Sequence, residues 1–176
     1  SLYGYKKTGV TYFGMEKNQF SKDKNDSVYN DGAYCPNCKE PLKYDYYHYN
    51  HIGSYHCDNC GHKINTPQYR VTALDLENGE MTINDKYKLK MNLRSVYNAY
   101  NLLAAFAATR LVGVKDDKVV ESLNNYIVKN DRIQKFEING HNGMLLTSKH
   151  ENSISYNQSL LYVTRENKPC TVVIIV

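Results

Sequence analysis

Residues 35–38 read Cys-Pro-Asn-Cys and residues 57–60 read Cys-Asp-Asn-Cys, two C-x2-C pairs with eighteen residues between them. Two residues between thiols let both sulfurs of a tight turn face one point, and two such turns joined by a hairpin make a closed four-thiolate site. The spacing predicts a structural zinc ribbon over about 33–66 with Cys35, Cys38, Cys57 and Cys60 as ligands. Zn2+ suits four thiolates because it is borderline soft and has no d-electron geometry to satisfy. With no open position, such a site does no chemistry on water. The competing reading is a pair of disulfides in a secreted domain. Against it, the chain opens with no apolar targeting segment and is far larger than the small scaffolds that depend on bridges. His48, His51, His56 and His62 crowd the same region; with four thiolates completing the shell they read as outer or surface groups, His56 being the one best able to replace a sulfur. Cys170, outside the motif, is expected as a small buried hydrophobe and not a nucleophile.

The chain has 176 residues, enough for one domain with a good core or one domain plus a small insertion. Its formal charge of +4 falls to about +2 with four thiolates and one Zn2+, which does not advertise a nucleic-acid partner. No apolar run approaches the ~20 residues of a membrane span, so a cytoplasmic protein in a reducing compartment is expected. Seventeen tyrosines and no tryptophan are unusual. The tyrosines beside the metal motif read as packing for a ribbon that lacks an aliphatic core.

Along the chain, the apolar β-rich run 9–15 predicts a strand, and polar, lysine-rich 18–31 a loop into the ribbon. Residues 42–47 and 54–57 pair as the ribbon hairpin. Strands follow over 69–76, 81–84 and 87–92, the first two joined at Asn78-Gly79. Alternation in the last, with Tyr87, Leu89 and Met91 on one side and Lys88 and Lys90 on the other, fits a sheet with one wet face. At Ser95 the period changes: Ser95 caps a mostly buried, alanine-rich helix over 96–112 that ends at Gly113. Asp116 and Asp117 cap a second helix to about Lys129 with an apolar stripe of Val119, Val120, Leu123 and Ile127. Strands over 136–139 and 144–147 and a helix over 152–166 come next. The run 171–176, TVVIIV, has the pattern of a central parallel strand covered on both faces, and so predicts a piece cut from a longer protein.

Few residues carry chemistry by spacing alone. Asn98 and Asn101 lie on one face at the start of the alanine-rich helix, where carboxamides can donate to and accept from an adenine edge; asparagine also simply favours helix starts. Arg132 offers a guanidinium fork to phosphate after the second helix. Lys149 stands between a strand and a helix, where loops bind phosphate or carboxylate; each has the plain alternative of a solvated cation. No G-x-x-x-x-G-K-[ST] cradle occurs in the chain.

Taken in order, these pieces resemble the Mur ligase family, most closely its branch with a four-cysteine ribbon inserted in the central ATPase domain. The ribbon, the stretch YYHYNHIGSYHCDNC at 46–60 and the motif YNAYNLLAA at 97–105 carry the resemblance. It implies an α/β fold: 1–136 as the later part of the central domain with the ribbon insertion at about 33–66, and 137–176 as the beginning of the C-terminal ligase domain. It further implies that Asn98 and Asn101 contact adenine and that Arg132 matches the arginine of a G-R-x-E segment, here Asp-Arg-Ile-Gln, so the pattern's glycine and acid are absent. Lys149 would reach phosphate. The family's P-loop would lie upstream of Ser1 and its C-terminal catalytic residues beyond Val176. The activity implied is ATP-dependent amidation of the D-isoglutamate α-carboxyl in the lipid II stem peptide, through an acyl phosphate, with Mg2+ and with ammonia from a GatD-like glutaminase subunit. Two rival readings stand beside it: a zinc-ribbon module that binds nucleic acid or protein, and a Mur-type ligase for another amino acid.

Overall fold

A computed structural model describes residues 9–25, 32–126, 133–147, 156, 160, 161, 163, 164 and 169–173. The chain divides into two compact units, Ser1–Ile127 and Val128–Val176.

The first unit begins with β1 (Phe13–Met15), leaves the sheet for the ribbon hairpin β2 (Lys43–Tyr49) and β3 (Ile52–His56), and returns as β4 (Tyr69–Asp75). The strands β5 (Glu80–Ile83) and β6 (Tyr87–Lys90) complete a four-stranded sheet of order β1-β4-β5-β6, in which only the β1–β4 pair is parallel. β1 is shorter than the expected 9–15 because β4 starts just after Pro67, so its partner residues begin at Tyr69; Tyr12 instead donates its amide to the Gln68 side chain at 2.6 Å. At the β4–β5 turn Gly79 has φ +69°, and the Asp75 carboxylate accepts the amides of Glu77 and Asn78, both at 2.9 Å. The expected alternation in β6 holds: Leu89 and Met91 are buried and Lys88 and Lys90 exposed.

Helix α1 (Val96–Leu111) covers the apolar face of this sheet. Ser95 caps it, its hydroxyl accepting the Asn98 amide at 3.3 Å, and Gly113 at φ +88° ends it. Ala99, Leu103, Phe106 and Ala107 are buried, the alanines allowing close approach and Phe106 lying against the rings of Tyr69 and Tyr87 at 5.8 and 5.0 Å. Helix α2 (Asp116–Asn124) departs from expectation at both ends. Its N-cap is Lys115, because Asp116 turns away to receive Arg110 Nε at 2.6 Å and the Tyr87 hydroxyl. It ends near Asn124, short of Lys129, because that side chain is used on the edge of β6, accepting the Lys90 amide at 2.8 Å and donating to the Lys88 carbonyl at 3.3 Å. Val119 is buried, with Val120 and Leu123 partly so; Ile127 lies outside the described residues.

In the second unit β7 (Ile133–Ile138) and β8 (His141–Leu146) form a hairpin around Asn139 and Gly140, both at positive φ. Two such residues make the tight turn whose twist matches a hairpin, and they extend the pairing beyond the expected 136–139 and 144–147. Tyr156, Leu160, Leu161, Val163 and Thr164 are helical, within the helix expected over 152–166. Two expectations fail here. Thr171, Val172 and Val173 are not a covered strand: Val172 and Val173 are 52% and 77% exposed, since an apolar run becomes a central strand only where neighbours pair with it, and none does among the described residues. Cys170 is exposed, since no described residue covers it.

Candidate metal centre

The two knuckles are built alike. Cys35 donates its amide to the Glu40 carbonyl and accepts from the Lys39 amide; Cys57 does the same with His62 and Gly61. The residue after each second cysteine is left-handed, Lys39 at φ +67° and Gly61 at φ +71°. Each knuckle is closed by a bridge at the same offset, Tyr34 with Pro41 and His56 with Lys63. This shared geometry turns four sulfurs toward one point. The four Sγ atoms lie within 4.8 Å of one another, with Cys35 to Cys60 at 3.6 Å and Cys38 to Cys57 at 3.5 Å. A tetrahedron with Zn–S bonds of about 2.3 Å has sulfur edges of about 3.8 Å, so the donor set fits Zn2+ in type, number and spacing. Cys35 and Cys57 are buried and Cys60 faces solvent.

The thiols are electrostatically unequal. The Asn59 side chain and the Glu40 backbone lower Cys38 to about 6. A bond from the His62 backbone lowers Cys60, but desolvation and hydrogen bonds from the other thiols outweigh it and raise that group to about 12. A divalent cation resolves this imbalance by holding all four as thiolates.

No histidine is needed to complete the shell. His56, on the outer face, is held between Asp45 Oδ1 at 3.1 Å and Asp58 Oδ1 at 3.3 Å, while Lys43 meets the other Asp58 oxygen at 2.5 Å and Ser54 donates to Asp45 at 2.8 Å. The tyrosines do pack the ribbon: Tyr44 stacks on Tyr47 at 4.2 Å and leans on Tyr55 at 5.6 Å, and His62 lies by Tyr55 at 5.9 Å. Burial raises the pKa of Tyr44 to about 12, so its hydroxyl stays protonated and donates to the Gly32 and His51 carbonyls.

Asn98 and Asn101 sit on α1 at its start, as expected. Asn98 is half-buried and donates its Nδ2 to the Leu93 carbonyl at 2.9 Å; Asn101 is exposed. Arg132 and Lys149 lie outside the described residues. Two features escaped sequence reasoning. One is the charged network around His56. The other is His48, which is buried and joins the ribbon to α1. The alternation of β2 would have marked His48, but register shifts at Tyr44/Tyr46 and Tyr47/Tyr49 interrupt it.

Comparison with known proteins decides the family. The chain is 34% identical over 152 residues to the Staphylococcus aureus (strains COL and N315) "Lipid II isoglutaminyl synthase (glutamine-hydrolyzing) subunit MurT", a match over 86% of this chain and 33% of that protein. It is a Mur-ligase relative of the MurT type. The Streptococcus pneumoniae (strain ATCC BAA-255 / R6) subunit MurT matches at 31% identity over 61% of this chain and 25% of that protein. The Rickettsia felis UDP-N-acetylmuramoylalanine–D-glutamate ligase matches at 30% over 56% of this chain and 24% of that protein. The MurT likeness in sequence is matched in fold by the structure of a pseudomurein peptide ligase type C from Methanothermus fervidus, with TM-score 0.71 and 23% identity over 89% of this chain and 31% of that one. The chain spans about a third of the length of the curated MurT relatives that it covers best. No protein-family model matches it. Among the described residues, no helix is long and apolar enough to cross a membrane.

Proposed function

We propose that this chain is part of a cytoplasmic ATP-dependent carbon–nitrogen ligase of peptidoglycan synthesis, which amidates the D-isoglutamate α-carboxyl of the lipid II stem peptide with ammonia from a GatD-like glutaminase subunit. The observation that carries the proposal is the likeness to MurT over 86% of the chain, with the four-thiol ribbon and the YNAYN helix start as two separate features within it. In this reading the first unit is the later part of a central nucleotide-binding domain and the second the beginning of a C-terminal ligase domain. Zn2+ is structural: four thiolates leave it no open position.

ATP with Mg2+ supplies the phosphoryl group that turns the carboxylate into an acyl phosphate open to ammonia. What this chain contributes is position. Asn98, which gives one Nδ2 hydrogen to the Leu93 carbonyl, is assigned to accept from the adenine amino group through Oδ1, and the exposed Asn101, one turn on, to meet the ring edge. Arg132 and Lys149 are assigned to the nucleotide and to phosphate, where fixed cations offset charge on the transferring group.

The test uses the full-length protein: phosphate release from ATP with lipid-linked muramyl pentapeptide and ammonium, each omitted in turn. Release that needs both is the expected result. Release that ignores either would refute an amidating ligase. A nucleic-acid-binding ribbon is disfavoured by the knuckle surface, where Asp58 neutralises Lys43; micromolar binding of single-stranded nucleic acid at physiological salt would restore that reading.

A further inference from the structure

We infer that His48 and Tyr100 are positioning residues, the joint through which the metal ribbon sets the nucleotide-binding face of α1. This rests on the assignment of Asn98 and Asn101 to the nucleotide. Tyr100 lies between those two asparagines in the chain, on the side of α1 that meets the ribbon.

His48 belongs to β2 and is 3% exposed. Its Nε2 is 3.2 Å from the Glu16 carbonyl and its Nδ1 is 2.7 Å from the Tyr100 hydroxyl. A carbonyl only accepts, so Nε2 carries the proton; with the buried ring neutral, Nδ1 accepts and Tyr100 donates. Tyr49, next along β2, meets the Tyr100 ring edge-on at 5.8 Å. The same strand is tied to the main sheet by the segment leaving β1. Lys22 and Tyr47 exchange both backbone hydrogen bonds at 2.7 Å, Tyr46 donates to the Met15 carbonyl at 3.2 Å, and the Glu16 amide donates to Val71 of β4 at 3.0 Å. One strand therefore grips both the sheet and the first turns of α1.

The metal closes the open end of that strand's hairpin. Cys38 stands shortly before β2 and Cys57 immediately after β3, with the pair meeting at 3.5 Å. Without the ion, β2 keeps its pairing with β3 and its contacts with the segment leaving β1, but the open end of the hairpin is unfastened and its register is held less firmly. Tyr100 would then keep a part-buried hydroxyl whose partner had moved, and α1 would relax at the turns assigned to adenine.

The experiment measures MgATP binding, zinc content and turnover in the full-length zinc-loaded protein. Tyr100→Phe and His48→Leu are each expected to raise the MgATP dissociation constant roughly five- to tenfold while keeping one zinc per chain. The double variant is expected to bind no more weakly than the worse single, the mark of two residues acting through one contact. His48→Asn, whose Oδ1 can replace Nδ1 as the acceptor, should recover most of the loss. KM for ATP should rise with kcat held within about twofold, a split that general destabilisation would not produce. Unaltered MgATP affinity in Tyr100→Phe, which deletes a single oxygen and so folds even if His48→Leu does not, overturns the joint. So does additivity in the double variant. Asn98→Ala and Asn101→Ala run in parallel: weakened binding there with Tyr100→Phe unaffected removes the joint alone, whereas unweakened binding removes the nucleotide assignment of α1 with it.

Discussion

His48 illustrates how one buried polar residue carries a pH signature. Burial lowers its pKa below the ordinary 6.5, against a smaller upward pull from the Glu16 backbone. The unfolded chain thus takes up the proton first as the pH falls. Stability from this residue is complete above about pH 6.5 and is lost as the pH drops from there through the lower folded-state value. Melting of the zinc-loaded protein between pH 7 and 5 is expected to fall more steeply than that of His48→Asn, which does not titrate. Parallel profiles would assign the acid sensitivity elsewhere, the thiolates included. At this scale the four metal ligands were legible because C-x2-C spacing is a local geometric demand. His48 was not, because its partners Tyr100 and Glu16 are distant in the chain and a histidine within a run of tyrosines reads as more of the same packing.

Elements were legible wherever one period or one turn residue governed them. Ser95 and Gly113 bounded α1 to within a residue, and the lysine alternation oriented β6. The limits of α2 were not, because Asp116 and Asn124 use their side chains across the fold, on Arg110 and on the backbone of β6, instead of on their own helix. Two predictions belong to elements. Phe106→Ala, at the centre of the α1–sheet contact and fully buried, is expected to cost about 3–5 kcal/mol in chemical denaturation of the full-length protein. A loss under 1 kcal/mol would mean that the contact is not the core. Cys57→Ser should take zinc from one per chain to near none and abolish the cooperative melting of the ribbon, since thiolate ligation is its folding energy. Retained zinc with an unchanged melt would refute the four-thiolate site.

For the molecule as a whole, what the chain alone could not convey was partnership between distant parts. The parallel pairing of β1 with β4 and the lack of any strand at 171–173 both depend on which neighbours exist in space, and an apolar run carries no label for its neighbour. The same dependence makes the phosphate-release assay a test for the full-length protein and not for this chain alone.

The parallel β1–β4 pair also fixes a race in time. Its strands are separated by residues 16–68, roughly fifty residues that must loop back before the first rung forms, and long closures slow folding. A metal ion that first cinches residues 35–60 removes about half of that slack. Refolding from denaturant should therefore be several-fold faster with equimolar zinc than with a chelator present, even when both samples are read by a probe in α1. Equal rates would mean that the sheet closes before the ribbon does. With the faster rate, the ion acts as a folding clock as well as a staple, setting when the main sheet can assemble.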